Sequence, residues 1–179
     1  MKKIEIKDFG GPEVLEIKNV DIGKPGQNEV LVKNLSIGIN YIDTYHRSGL
    51  YPIPLPSGIG LEACSIIEEV GSEVKLFKVG DRVTRASMPI GTYSEKQIIP
   101  EDKLVKVPDN ISDEVASCIT LKGITAEYLL HRTYQVKKGD KILYHAAAGA
   151  LGQIFCPWAN ALGAEIIGTV GSDEKIEIA

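Results

Sequence analysis

The segment that most constrains the fold of this chain runs from Lys141 to Val170. It contains an apolar strand, a turn with two glycines, a helical run and a second strand, which are Lys141–His145 (KILYH), Ala146–Gly152 (AAAGALG), Gln153–Leu162 and Glu165–Val170 (EIIGTV). This order predicts one βαβ unit, because the pattern changes from strand to helix and back. A right-handed crossover makes the two strands parallel.

The glycine turn is the first candidate binding site. A dinucleotide fingerprint uses one glycine for the tight turn, one beside the pyrophosphate and one where the helix meets the strand. Ala147, Gly149 and Gly152 stand at these three positions. The turn follows a strand and opens a helix, whose N-terminal N–H groups attract phosphate. It therefore predicts dinucleotide binding that also involves Ala150 and Leu151, with a plain strand-to-helix turn as the alternative.

The end of the second strand indicates which dinucleotide is bound. NAD binders place Asp or Glu there to hold the ribose 2′-hydroxyl. The sequence after this strand has no carboxylate at the strand end, and Gly171, Ser172 and Lys175 are the candidate contacts to a 2′-phosphate. Asp173 and Glu174 lie between Ser172 and Lys175, and their negative charges disfavour a 2′-phosphate. We expect NADPH to be preferred over NADH.

The first 107 residues have a different pattern. Short strands alternate with Gly and Pro turns, and they are expected at Lys3–Lys7, Val14–Val20, Glu29–Ile37, Glu62–Val70, Arg82–Thr84, Thr92–Ile99 and Lys103–Val107. This spacing predicts a small β-barrel. Asn40–Arg47 is expected to form a short helix, and the proline-rich segment Tyr51–Gly60 to contain no regular element.

Helical patterns begin near residue 110. Ser112 is the expected N-cap of a helix over Asp113–Ile119, and a second helix is expected over about Ile124–Tyr134. Pro157 falls inside the helical run of the βαβ unit. It removes the hydrogen bond to the Gln153 carbonyl and should kink this helix, at a cost of about 3 kcal/mol.

Composition limits the function classes. There are 20 Lys and Arg against 24 Asp and Glu, a formal net charge of −4, which disfavours a nucleic-acid partner. Cys64, Cys118 and Cys156 have no metal-site spacing and are expected to be buried free thiols of a reducing compartment. The chain shows neither the apolar core of a signal peptide nor a run of ~20 apolar residues. We expect a soluble cytoplasmic protein with no membrane contact.

Five ordered motifs carry a resemblance to a known family. They are Phe9–Leu15 (FGGPEVL), Gly38–Pro52 (GINYIDTYHRSGLYP), Phe77–Val83 (FKVGDRV), His145–Gly152 (HAAAGALG) and Gly168–Gly171 (GTVG). Together they are similar to the zinc-independent, ζ-crystallin-like quinone oxidoreductases of the medium-chain dehydrogenase/reductase superfamily. The resemblance implies a β-rich GroES-like barrel domain over residues 1–122, without its C-terminal return segment. It also implies a truncated α/β Rossmann domain, the first βαβ part, over residues 123–179, and NADPH as cofactor.

The resemblance also bears on metal. Zinc-dependent relatives of this superfamily have Cys at the position of Asn40 and His at the position of Leu61. Neither an amide nor a leucine replaces a thiolate or an imidazole on zinc, so no metal site is expected. Without a metal, the substrate must be an easily reduced one, and a quinone or an activated enone fits.

Family patterns imply a catalytic group around the nicotinamide and substrate, which is Asn40, Tyr45, Arg47 and Tyr51. Asn40 is expected to hydrogen-bond the cofactor ribose or the substrate carbonyl. Tyr45 or Tyr51 is expected to stack on a quinone or to donate a proton to its oxygen. Ordinary packing of the tyrosines and a surface position for Arg47 remain alternatives. Thr125 resembles a cofactor contact at a helix start, with a simple N-cap as its alternative.

The implied function is NADPH-dependent reduction of quinones by hydride or stepwise electron transfer, in a homodimer for full-length relatives. One alternative is an inactive or split fragment, because the sequence stops after two Rossmann strands where the fold uses six. A poor catalyst, or none, is therefore expected from the 179 residues alone. The other alternative is a single-stranded RNA-binding ζ-crystallin-like protein.

Overall fold

The computed structural model describes all 179 residues, which divide into two compact units, Met1–Thr120 and Leu121–Ala179. The division falls two residues before the predicted one and lies inside a helix. The first unit contains the strands β1 (Lys2–Ile6), β2 (Glu16–Asn19), β3 (Glu29–Gly38), β4 (Ser57–Gly58), β5 (Glu62–Val70), β6 (Arg82–Ala86), β7 (Lys96–Pro100) and β8 (Val105–Lys106). Its helices are α1 (Tyr41–Ser48) and the first half of α2 (Asp113–Tyr128).

The strands of the first unit form two antiparallel sheets. One has the order β7-β3-β5-β6-β8, and the other has the order β2-β1-β4. Side chains alternate across β3, so Val30 and Val32 point inward and are almost fully buried. They pack with the other members of one apolar core, Ile67, Val83, Ile99 and Leu104. This architecture agrees with the β-rich domain expected from the sequence.

The second unit is a βαβ unit, as predicted. Strand β9 (Lys141–His145) leads into α3 (Gly152–Ala161) and then β10 (Glu165–Thr169). The strands are parallel and in register from the Lys141–Glu165 pair to the His145–Thr169 pair. Helices and sheet share a core that is built from Ala126, Leu130, Phe155, Ala159 and Ala164.

Several local predictions are wrong, and three of them concern the arrangement of the helices and strands. Helix α2 continues without interruption through Gly123 to Tyr128, and a π-helix over Leu129–Thr133 follows, where two separate helices were expected. Ser57–Gly58 forms a short strand against β1, although the prolines of the segment Tyr51–Gly60 predicted only a loop. The seventh strand begins at Lys96, not at Thr92. In the first two cases packing and pairing override local propensity.

The cysteines occupy three different environments. Cys64 is fully buried, and burial together with Asp113 raises the pKa of its thiol to about 11. Cys156 is half-buried, and burial raises the pKa of its thiol as well. Cys118 is exposed, so the prediction of three buried thiols is wrong there. The apolar residues around Cys118 belong to a helix that buries Ala116 and Ser117 instead.

Pro157 does not break helix α3. The helix continues from Gly152 to Ala161 with Pro157 on its exposed side. Phe155 and Ala159 are buried on the side that packs in the core. The packing of this face holds the helix together although the ring removes one donor to the Gln153 carbonyl. No helix of the chain has the length and apolar character needed to cross a bilayer.

Candidate functional site

The turn between β9 and α3 is tightly organised. Ala146, directly after the strand, has a positive φ of 59°, a left-handed conformation that is costly for a residue with a Cβ. The Gly149 N–H donates to the Ala146 carbonyl, and the Gln153 side chain donates to the Ala148 carbonyl. The N–H groups of Ala150 and Leu151, by contrast, have no backbone acceptor in the turn. Two free N–H groups at a helix N-terminus fit a diphosphate.

Gly152 allows the helix to approach the turn closely. A Cβ at this position would lie 2.3 Å from the Ala147 carbonyl oxygen and 2.8 Å from that of Ala146. A Cβ at Gly168 would similarly lie 2.7 Å from the Ala147 side chain. These contacts are the third-glycine role of the dinucleotide fingerprint, in which helix and strand pack without a side chain between them. The close approach of Gly168 to the Ala147 side chain also requires a small residue at position 147.

The segment after β10 is exposed. Ser172 precedes a short 3-10 helix over Asp173–Lys175, and the Lys175 N–H donates to the Ser172 carbonyl. The Ser172 hydroxyl and the Lys175 ammonium remain available for a ligand, as does the backbone of exposed Gly171. A contact that the sequence did not reveal joins the two strand ends, where His145 Nδ1 lies 2.9 Å from Thr169 Oγ1.

Thr125 does not begin a helix. It lies inside α2, and its hydroxyl donates to the Leu121 carbonyl at 2.7 Å. Both the helix-start and the N-cap interpretations of this residue are therefore wrong. Its contact with a cofactor stays a prediction.

Asn40 is the N-cap of α1 and is 6% exposed. Its side-chain Nδ2 donates to Glu62 Oε2 at 2.9 Å, and Glu62 is fully buried at the start of β5. Asn40 therefore lies in a buried polar contact between a helix and a strand. The sequence showed both residues, but it did not show that they meet.

Asp43 closes the start of α1. Its Oδ2 accepts hydrogen bonds from the Asn40 N–H and from the Tyr93 hydroxyl, both at 2.9 Å. Burial and the Asp43 carboxylate raise the pKa of Tyr93, so its hydroxyl is a stable donor at neutral pH. The spacing Asn40-x-x-Asp43 resembles a capping box and was a usable signal for the first of these contacts.

Three tyrosines form a ring cluster on and after α1. The Tyr45 ring centroid is 5.2 Å from that of Tyr41 and 5.2 Å from that of Tyr51. Tyr41 is 76% exposed and Tyr51 is 49% exposed, and neither the Tyr45 nor the Tyr51 hydroxyl has a partner within the chain. The two predicted tyrosines thus lie together, and Tyr41 is a third member that sequence reasoning missed. Its i,i+4 spacing from Tyr45 was the available signal.

Arg47 has a structural contact. Its Nε donates to the Gly10 carbonyl at 3.3 Å, and the Gly10 N–H donates to the Arg47 carbonyl at 3.0 Å. The residue therefore anchors the N-terminal loop to the end of α1. A role towards substrate stays a prediction.

The predicted metal-free character also stays a prediction. Leu61, at the position where zinc-dependent relatives have His, is buried at 7% exposure. No group of three or more His, Cys, Asp or Glu side chains is arranged to hold a metal ion. A separate cleft of about 430 Å³ runs along α3 beside Cys156, Pro157 and Asn160, and it shares only Ala147 with the predicted nucleotide residues.

Comparison with known proteins shows which proteins this chain resembles. Residues 26–109 match the alcohol dehydrogenase GroES-like domain. A quinone oxidoreductase of Pseudomonas aeruginosa is 53% identical over 99% of this chain and 55% of its own length. A 2-haloacrylate reductase of a Burkholderia species is 47% identical over 95% of this chain and 53% of its own length.

A solved structure gives the same result. The Escherichia coli quinone oxidoreductase complexed with NADPH is 50% identical, has a TM-score of 0.96, and matches 99% of this chain and 55% of that one. The chain thus spans about half the length of the relatives it matches. The predicted fold class, a GroES-like domain followed by the start of a Rossmann domain, is confirmed. Over nearly its whole length the chain is therefore similar to the N-terminal halves of quinone oxidoreductases.

Proposed function

We propose that this chain carries the NADPH-binding turn and the quinone-binding face of an NADPH:quinone oxidoreductase. The observation that supports this most is the turn before α3, where the N–H groups of Ala150 and Leu151 are free and Gly152 allows close approach. The relatives support the same cofactor, since the E. coli protein was solved with NADPH. Ala147, Gly149, Ala150, Leu151 and Gly152 would hold the diphosphate.

NADPH would supply two electrons as a hydride, and the protein would position the acceptor. A quinone is flat, and the ring cluster of Tyr41, Tyr45 and Tyr51 offers exposed aromatic surface for stacking. The free hydroxyls of Tyr45 and Tyr51 are proton donors for a reduced quinone oxygen. Asn40, which is buried and hydrogen-bonded, would contribute mainly by holding α1 in place.

The function is tested by following NADPH consumption at 340 nm with the 179-residue chain. We expect oxidation to depend on 1,4-benzoquinone or 1,4-naphthoquinone, because these acceptors need no metal. A parallel reaction with 2-chloroacrylate tests reduction of an activated alkene, which the Burkholderia relative makes the second candidate. No NADPH binding by calorimetry at millimolar concentration, with neither substrate consumed, contradicts the proposal.

The preference for the 2′-phosphate gives a separate prediction. We expect NADPH to bind about tenfold more tightly than NADH, because Ser172 and Lys175 are exposed and free to contact the phosphate. A hydrogen bond to a charged group contributes about 1.5–3 kcal/mol, and solvent exposure favours the lower value. Lys175→Ala should remove most of the preference in a calorimetric titration.

Lys141→Ala is the matched control for this titration. Lys141 is an exposed lysine of the same unit, at the start of β9, and pairs with Glu165. The preference should survive this substitution. Equal affinities of the unmodified chain for NADPH and NADH contradict the assignment of the 2′-phosphate contacts.

The remaining expectations about partners are also proposals. Full-length members of the family are expected to be homodimers, and the location is expected to be cytoplasmic. Nucleic acid stays an unfavoured partner, since the net charge is −4. A gel shift with single-stranded RNA at physiological salt tests this alternative.

A further inference from the structure

Glu62 is a buried carboxylate without a role in the predicted chemistry. It is the first residue of β5, has 0% exposure, and receives the hydrogen bond from Asn40 Nδ2 on its Oε2 at 2.9 Å. An ionised carboxylate only accepts hydrogen bonds. The Asn40 amide can therefore present its nitrogen to Glu62, but not its oxygen.

The backbone of Asn40 is held at the start of α1 by Asp43. The Asn40 N–H donates to Asp43 Oδ2 at 2.9 Å, and the Asp43 N–H donates to the Asn40 backbone carbonyl at 3.0 Å. A flipped Asn40 amide would turn its oxygen towards Glu62 Oε2, so two acceptors would meet. Glu62 thus selects one of the two orientations of the amide at the N-cap of α1.

Gly38 provides the space for the Glu62 carboxylate. It lies opposite Glu62 in the β3–β5 register. A Cβ at Gly38 would lie 2.9 Å from Glu62 Oε2 and 1.9 Å from the Ser117 carbonyl oxygen. The carboxylate therefore occupies a place that only a glycine on the neighbouring strand leaves open.

We propose that Glu62 is a positioning residue, which fixes the Asn40 amide and through it the start of α1. Helix α1 carries Tyr41 and Tyr45, and Tyr51 follows it. Glu62 would thereby set where the tyrosine cluster lies, without touching a ligand itself. The connection with substrate rests on the proposed function, whereas the positioning of Asn40 does not.

The test measures the Asn40 side-chain NH2 in ¹H–¹⁵N spectra of the whole 179-residue chain. Glu62→Gln keeps an oxygen that accepts the hydrogen bond, and Glu62→Met has a similar length with no comparable acceptor. We expect slow solvent exchange of the Asn40 NH2 in the unmodified chain and in Glu62→Gln. We expect exchange at least about tenfold faster in Glu62→Met.

Glu68→Gln is the matched control. Glu68 lies near the other end of β5 and forms an ion pair with Lys96. Its substitution should leave the Asn40 NH2 unchanged. A second readout is the near-ultraviolet circular dichroism of the tyrosines, which should fall in Glu62→Met and be retained in Glu62→Gln.

Two results overturn the proposal. One is slow exchange of the Asn40 NH2 in a folded Glu62→Met variant, which would show that the carboxylate does not fix the amide. The other is fast exchange in folded Glu62→Gln, which decides the question even where Glu62→Met fails to fold. NADPH titration reports on residues of the second unit, so failure of the proposed function is seen separately.

Discussion

Replacing Gly152 with valine is expected to weaken NADPH binding by about a hundredfold or more. The valine Cβ would lie 2.3 Å from the Ala147 carbonyl oxygen and 2.8 Å from that of Ala146, and both are backbone atoms. The turn and the helix start must then move apart, which displaces the N–H groups of Ala150 and Leu151. Isothermal titration calorimetry with NADPH measures the loss.

Gly123→Ala is the control for this substitution. Gly123 lies inside helix α2, where a Cβ would meet nothing within 4 Å. Alanine there should leave NADPH affinity unchanged and stabilise the helix by about 0.5–1 kcal/mol. If the Gly152→Val variant binds NADPH within threefold of the unmodified chain, the turn is not the diphosphate site.

The βαβ unit was predictable because its signals are local. Strand, turn and helix follow one another within Lys141–Leu162, and each has its own periodicity. The loss of the first fingerprint glycine did not hide the pattern. The positive φ of the neighbouring residue Ala146 is visible only in the structure.

Helix α2 shows where local signals fail. The sequence predicted two helices, and Gly123, a residue of low helix propensity, lies between them. The structure continues through Gly123 because Ala126 and Leu130 are fully buried in the core of the second unit. Tertiary burial outweighs a propensity cost of about 1 kcal/mol for one glycine.

The contacts that organise the site were not predictable, because they join distant parts of the chain. Asn40 and Glu62 are 22 positions apart, and Asp43 and Tyr93 are 50 positions apart. The motif around Asn40 indicated family membership without showing these partners. Of the predicted catalytic group, the structure brings Tyr45 and Tyr51 together, whereas Arg47 forms hydrogen bonds with Gly10.

Replacing Asp43 with alanine is expected to lower the free energy of unfolding of the first unit by about 2–4 kcal/mol. The substitution leaves the Asn40 N–H and the Tyr93 hydroxyl without the carboxylate oxygen that accepts from both. A lost cap costs about 0.5–2 kcal/mol, and a buried donor left without an acceptor costs about 1–3 kcal/mol. Because Asp43 is 3% exposed, water does not readily replace the lost oxygen.

Urea denaturation followed by far-ultraviolet circular dichroism measures the effect of Asp43→Ala. Asp43→Asn should cost less, since its amide oxygen still accepts one hydrogen bond. Asp102→Ala is the control, because Asp102 is exposed and pairs only with its neighbour Lys103, a kind of ion pair that contributes little. The Tyr93 contact should persist up to strongly alkaline pH, because burial raises the pKa of this hydroxyl above its usual value. An Asp43→Ala variant as stable as Asp102→Ala would show that this carboxylate does not hold α1 to the segment before β7.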